Sequence, residues 1–158
     1  MAQYVGLTGY MGSGKGEIAK ILQKRGFKYV SLSDMVREEA TKRGLEHTRE
    51  NLQATGNDLR EKHGAGVLGM KAREAIAKEA DSNWVVDGIR NPACIAELKE
   101  LSDFQVLGVS AGNEILVKRL MDRKRGGLKL TRDGILEKLE KEKGVGEPPE
   151  GQQVKKCL

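Results

Sequence analysis

Gly9-Tyr10-Met11-Gly12-Ser13-Gly14-Lys15-Gly16 is the stretch that decides how this chain is read. Its spacing fits G-x-x-x-x-G-K. Tyr4-Val5-Gly6-Leu7-Thr8 before it reads as a strand. After it, Lys15 to Lys24 carries Ile18, Ala19, Ile21 and Leu22 at helical spacing, and Gly26 stops the run. A glycine-rich turn between a strand and a helix is a phosphate cradle. Its backbone N–H groups curl around anionic oxygens, and the helix points its positive end at them. Lys15 then bridges the outer phosphates of a nucleoside triphosphate. The candidate nucleotide-binding residues are Gly9, Gly12, Ser13, Gly14, Lys15, Gly16 and Glu17.

The pattern ordinarily ends in Ser or Thr, whose hydroxyl binds Mg²⁺. Gly16 stands there instead. A metal must then be held largely by phosphates and waters, oriented by nearby carboxylates. Asp34, after the second strand, and Asp87, closing the third, are the candidates, each acting through water. The blander roles are a helix N-cap for Asp34 and a strand-end turn for Asp87. Capping and metal orientation are compatible.

Moving outward, short apolar runs alternate with amphipathic stretches. Lys28–Leu32, Trp84–Asp87 and Phe104–Val109 read as further strands, with Gly88 turning the chain away from the third. Helices are expected from Asp34 to Arg43, from Thr48 to about Lys62, from about Gly66 to Glu79 and from Pro92 to about Leu101. Two more are expected from Asn113 to Lys124 and from Thr131 to Gly144, and Val154 to Leu158 reads as the start of another. Strands alternating with helices imply an α/β fold, a parallel sheet covered on both faces. The expected strand order is 2-3-1-4, with a crevice at the carboxyl ends of the first and third strands. No apolar strand follows Val154–Leu158, so the sheet is expected to lack a last strand. The apolar run Phe104–Val109 then becomes an edge that invites self-association.

The 158 residues make one domain, 1–158, with no repeat or linker to divide it. Hydrophobic residues are 38% and charged residues 32%, which excludes a disordered chain. No apolar run approaches the length of a membrane helix, and residues 1–9 lack a signal-peptide pattern. Cys94 and Cys157 lie far apart with no metal-type spacing, and His47 and His63 are the only histidines. A reduced, cytoplasmic protein is the simplest reading. The net charge is +5, and its excess is local: Glu114 to Asp133 holds seven basic residues against three acidic ones. Such a patch suits nucleotide phosphates or nucleic acid, or is a solvated basic face.

The loop ending Gly-Lys-Gly resembles that of adenylate kinase and its nucleoside monophosphate kinase relatives. Three further segments agree. Asp34-Met35-Val36-Arg37 resembles the segment opening that family's acceptor-binding helices. Asp87-Gly88-Ile89-Arg90 is similar to its Asp-Gly-Phe-Pro-Arg segment with one residue fewer. Lys118-Arg119-Leu120-Met121-Asp122-Arg123 is similar to the arginine pair introducing its lid. The whole run, including Leu59-Arg60-Glu61-Lys62-His63-Gly64 and Gly144-Val145-Gly146-Glu147, looks closest to adenylate-kinase-related proteins known mainly from archaea. The resemblance implies a P-loop nucleoside triphosphate hydrolase fold, with acceptor-binding helices over 34–80 and a lid over 126–144.

That resemblance implies roles as well. Lys15, Asp87, Arg90 and Arg123 would be catalytic, with Arg123 neutralising the transferred phosphoryl group. Asp34, Arg37 and Arg90 would bind the acceptor, the two arginines gripping its phosphate. Arg119 would lie against the donor base or its phosphates, and Arg132 would join from the lid. Lys124, Arg125, Lys129 and Arg132 equally fit a solvated rim. Three departures limit the transfer. Cys94 stands where the family reads the acceptor adenine with glutamine, so AMP specificity does not carry over. Lys138 and Lys141 replace later lid arginines. The family also continues beyond the position of Leu158 with a strand and a base-binding turn.

The expected activity is phosphoryl transfer from ATP, with Mg²⁺, to a nucleoside monophosphate or similar nucleotide. GTP-dependent switches are disfavoured, because neither Asn-Lys-x-Asp nor a switch Asp-x-x-Gly occurs. Two rivals remain. Gly6-Leu7-Thr8-Gly9 is similar to the opening of dephospho-coenzyme A kinase, whose chemistry would make Asp34 a base. A nucleotide-binding module of weak turnover, acting with RNA or another protein through the basic patch, is the other. The expected partner is a small nucleotide acceptor, not a membrane, with nucleic acid disfavoured.

Overall fold

A computed structural model of the chain describes residues 2–123, 131–147, 149 and 151–158. Four strands form one parallel sheet: β1 (Tyr4–Thr8), β2 (Lys28–Ser31), β3 (Trp84–Ile89) and β4 (Phe104–Gly108). Their order is β2-β3-β1-β4, as the sequence implied. β1 and β3 are central and carry the most apolar burial, with Tyr4, Leu7, Val85, Val86 and Ile89 withdrawn from solvent. A strand buried on both faces cannot alternate polar and apolar residues, which is why both read as continuous apolar runs.

Helices cover both faces. One face packs Leu7 and Val85 against Ala19, Ile18 and Leu22 of α1 (Lys15–Lys24). The other carries the larger core. There Val86 and Ile89 meet α2 (Leu32–Lys42), α3 (Arg49–His63), α4 (Val67–Ala77) and α5 (Pro92–Leu98) through Leu32, Val36, Leu59, Leu68, Ile76 and Leu98. A third cluster joins α6 (Asn113–Asp122) to α7 (Arg132–Lys143) through Leu116, Leu120, Ile135 and Leu139. Tyr10 and Met11 of the glycine loop pack against it. The short α8 (Val154–Cys157) follows. Gln153 N–H donates to the Arg90 carbonyl at 2.6 Å, and Asn91 Nδ2 donates to the carbonyls of Pro149 and Gly151, each at 2.9 Å. The C-terminal segment is thereby tied to the end of β3.

Local signals hold where side chains cap helices. Thr48 accepts from Asn51 N–H at 3.1 Å, Asn91 from Ala93 N–H at 2.9 Å, and Thr131 from Gly134 N–H at 3.1 Å. Pro92 occupies the first turn of α5, where a missing N–H costs nothing.

Several boundaries differ from the sequence reading, α5 stopping at Leu98 and β4 at Gly108 among them, and those at α2 and β3 matter for the site. α2 begins at Leu32 with Ser31 as its N-cap, so Asp34 is not the cap. It lies in the first turn instead, where a negative charge still favours the helix dipole. β2 correspondingly ends at Ser31. Gly88 does not end β3: it takes φ of +80° inside the strand, and the pairing with β1 shifts register at that level. Only glycine adopts that backbone without penalty. The strand recovers at Ile89, whose carbonyl accepts from Thr8 Oγ1 at 2.8 Å, and delivers Arg90 just past its carboxyl end.

β4 is an edge of the sheet among the described residues, with Leu107 exposed. A Cβ placed on Gly108 would come within 3.2 Å of the Leu158 side chain, so the residue after α8 reaches the end of that strand. Among the described residues no helix is long and apolar enough to cross a membrane. The glycines expected to hinge a lid, Gly126 and Gly127, lie outside the described residues, as do Lys124, Arg125 and Lys129.

Candidate functional site

The loop after β1 and the residues ending β3 emerge side by side because their strands are parallel neighbours. This puts the phosphate-type loop next to Asp87 and Arg90, which are distant in sequence. Gly9 must be glycine for space: a Cβ there would sit 2.3 Å from the Val109 carbonyl oxygen. Gly14 is needed for its backbone, with φ of +105° at the N-cap of α1.

Three observations test whether this loop fits phosphate. Among the described residues, the amides of Gly12, Gly14, Lys15 and Gly16 have no hydrogen-bond acceptor, whereas Ser13 N–H is spent on the Tyr10 carbonyl. The Ser13 hydroxyl is buried without a partner. Cβ atoms placed on Gly14 or Gly16 would meet nothing within 4 Å, so no neighbouring side chain or backbone crowds the loop at those positions. A buried polar group lacking a partner is rare in native structures, and the Ser13 hydroxyl is one, beside the unspent amides of a helix N-terminus. The arrangement fits a phosphate chain.

Lys15 supplies the charge. Burial, the largest influence, holds its ammonium below the ordinary lysine range; Asp87 opposes that shift, Arg90 adds to it, Glu142 opposes it and Arg123 adds to it. Four residues expected at the catalytic centre, Lys15, Asp87, Arg90 and Arg123, therefore share one electrostatic neighbourhood. The side chains of Arg90 and Arg123 make no hydrogen bond or ion pair among the described residues, so both guanidinia remain open to an anion.

Asp87 is held on two sides. Its Oδ1 accepts from Gly88 N–H at 2.7 Å and its Oδ2 from the Tyr29 hydroxyl at 2.9 Å. Gly16 offers no hydroxyl, and no group of three metal-type side chains occurs among the described residues. A metal ion would therefore have to be carried largely by phosphates and water, with Asp87 the carboxylate closing the strand beside the loop. The Tyr29 phenol is pushed up to about 12, first by burial and then by its bond to Asp87. Between its ordinary 10.0 and about 12 the folded protein keeps a proton that the unfolded chain has lost, so this group's contribution to stability falls across that window. Tyr29→Phe is expected to remove the most alkaline phenol step. Ultraviolet titration of tyrosinate in both proteins checks this, and unchanged titration would contradict it.

Other expected residues are placed differently. Arg37 Nη1 donates to Asp34 Oδ1 at 2.7 Å, and both side chains are about half exposed. Asp34 is close enough to act on the Tyr29 phenol, but the structure does not bring Arg37 into the charge group around Lys15. Glu17 points to solvent and pairs with Lys20 at 3.4 Å. Arg119 Nη1 donates to the Gly12 carbonyl at 2.9 Å, so it braces the loop from α6. Arg132 forms a two-bond pair with Glu114, at 2.6 and 3.1 Å, tying α7 to α6. Lys141 lies near Gln53 and Glu147, at 3.3 and 3.9 Å.

Sequence reasoning missed Glu142. Only 4% of it is exposed, and its Oε2 accepts from Met11 N–H at 2.9 Å. A carboxylate from α7 therefore takes one donor of the loop and faces Lys15. The available signal was helical phase: Ile135, Leu139 and Glu142 fall on one buried stripe of α7.

Comparisons with known proteins bear on the family and the fold. The sequence matches the AAA domain family over residues 8–141. It is 32% identical over 148 residues to a UPF0200 protein of Sulfurisphaera tokodaii, covering 92% of this chain and 81% of that protein. A UPF0200 protein of Pyrococcus abyssi is 34% identical over 150 residues, covering 89% and 79% respectively. Among solved structures, TT1252 from Thermus thermophilus superposes with a TM-score of 0.59 at 22% identity, covering 94% of this chain and 82% of that one. A sugar kinase from a Janibacter species gives 0.54 at 18% identity, covering 88% and 76%. At these identities the structural likeness shows the fold alone. The chain is a P-loop, kinase-like domain that belongs to the AAA domain family and to the UPF0200 proteins.

Proposed function

We propose that this chain transfers the terminal phosphoryl group of ATP, in the presence of Mg²⁺, to the phosphate of a nucleoside monophosphate or a similar nucleotide. The observation that carries the reading is the convergence of Lys15, Asp87, Arg90 and Arg123 beside unspent loop amides. The adenylate-kinase-like segments of the sequence support it, and the UPF0200 relatives carry no named substrate.

In this reading the loop amides and Lys15 hold the donor's outer phosphates. Arg90 orients the acceptor phosphate from the end of β3. An acceptor oxygen forms a bond to the terminal phosphorus as the bond from that phosphorus to the bridging oxygen breaks. No proton moves, because the attacking oxygen is already ionised, so no general base is needed. Lys15 and Arg123 balance the charge that spreads over the transferred group. Mg²⁺, when bound, supplies further neutralisation of the phosphates, and Asp87 would orient its waters. α7, docked on α6 and bonded to the loop through Glu142, would shield that side of the site from water.

A single screen tests the reading. ATP consumption is measured with AMP, GMP, CMP, UMP, dephospho-coenzyme A and RNA. Stimulation by at least one monophosphate, with conversion to a diphosphate, is the expected result. Stimulation by dephospho-coenzyme A alone would move the acceptor to a hydroxyl. ATP binding with no stimulated turnover would leave a binding module.

A further inference from the structure

α3 carries a cation that the reading above does not use. Arg60 sits in the last turn of that helix and is directed inward. Its Nε is fully buried and has no hydrogen-bond partner. Its Nη1 reaches only Asn57 Oδ1, at a long 3.4 Å. Gly56, one turn earlier, makes room for it: a Cβ there would come within 3.2 Å of Nη1. The fold thus clears space for a guanidinium whose donors it then leaves unmet.

The charges around Arg60 say what is missing. Burial, the largest influence, pushes the guanidinium below its ordinary range; the Cys94 side chain opposes this, Arg90 adds to it, and Glu147 opposes it. The nearby acid is already shared, because Glu147 also lies 3.9 Å from Lys141 Nζ and 3.5 Å from Gln53 Nε2. Arg90 in turn acts on Lys15. Arg90 is thus within electrostatic reach of both Lys15 and Arg60. Two like charges held together with unmet donors cost stability unless an anion joins them.

We propose that Arg60 is a substrate-binding residue that clamps a dianionic phosphate monoester together with Arg90. This deepens the proposed function, on which it rests, and places α3 rather than α2 opposite Arg90. Arg37 is already paired with Asp34, whereas Arg60 carries unmet donors, so the second arm is assigned to Arg60. Planar forks from two arginines can take separate oxygens of one phosphate. A hydroxyl acceptor without a phosphate would leave both guanidinia unpaired, so the clamp selects for a phosphomonoester.

Calorimetric titration of the native chain, Arg60→Met, Arg60→Lys and Arg37→Met tests this. The probes are AMP, GMP, CMP, UMP, inorganic phosphate and ATP. The tightest monophosphate is expected to weaken by about tenfold to a hundredfold in Arg60→Met, the range for lost hydrogen bonds to a charged group. Arg60→Lys should recover part of this, Arg37→Met should lose less, and ATP binding should stay within about twofold because the loop amides are intact. Native monophosphate affinity should rise with pH through about 6, where the monoester becomes dianionic, and Arg60→Met should flatten that rise. Ligand-free Arg60→Met should melt no lower than the native chain, because a like-charge contact has gone. Native-like monophosphate binding in Arg60→Met, or no monophosphate or inorganic phosphate binding to the native chain, would overturn the clamp. So would a lower melting temperature in both Arg60 variants with affinity retained, which is a purely structural role. If Arg60→Met loses monophosphate binding but the native chain transfers nothing from ATP, the proposed function fails and the clamp stands. If transfer runs with a native acceptor KM in Arg60→Met, the clamp fails and the function stands.

Discussion

Lys15→Ala should lower turnover by about a thousandfold, the scale for losing one aligned donor to a developing phosphate charge, and should weaken ATP binding. The same substitution should leave the ligand-free fold no less stable. The reason is linkage. Burial holds Lys15 below its ordinary 10.5 in the folded protein. Between the lowered value and 10.5 the unfolded chain holds more protons, so stability rises with pH across that window. Below it, the buried charge opposes folding. Alanine removes that cost, and with it the rise in stability at alkaline pH. Steady-state kinetics and chemical denaturation at neutral and alkaline pH check both halves. A large loss of stability at neutral pH would make Lys15 a structural residue instead.

Glu142→Ala should act in the opposite sense on stability. It strips the acceptor from Met11 N–H inside a buried contact. An unsatisfied buried donor costs about 1–3 kcal/mol. It also removes a counter-charge from Lys15 and frees the loop from α7. The expected result is lower stability together with a loop that closes less well on ATP, read as a raised ATP KM. Glu142→Gln keeps an acceptor while deleting the charge, so it should recover most of the stability. Retained stability in Glu142→Ala would show that α7 does not hold the loop.

The sheet and its order were legible because β1 and β3 are buried on both faces and show as unbroken apolar runs. The loop was legible because glycine spacing reports backbone geometry directly. Asp87 and Arg90 could be placed because parallel pairing carries the end of β3 to the loop. What sequence spacing hides is direction. Asp34 and Arg37 pair with each other one turn apart on α2, a contact that i, i+3 spacing permits and that apolar pattern does not reveal. Glu142 was hidden for the converse reason. On a helix as charged as α7, one inward glutamate resembles its solvated neighbours until the fold shows which stripe meets the loop. Gly88 read as a stop because a strand passing through φ of +80° leaves no trace in apolar pattern.

The basic stretch from Glu114 to Asp133 resolves into separate uses. Arg119 braces Gly12, Arg132 pairs with Glu114, and Arg123 stands in the field of Lys15. Arg119 and Arg132 are thereby spent on contacts within the protein, whereas Arg123 stays open to an anion and Lys118 is exposed.

Transfer of label from γ-phosphate-labelled ATP tests the central claim most directly. With Mg²⁺ and a mixture of nucleoside monophosphates, the native chain is predicted to move label into a nucleoside diphosphate, and Lys15→Ala is predicted not to. Label that stays in ATP, or appears only as free phosphate whatever acceptor is supplied, would contradict the account.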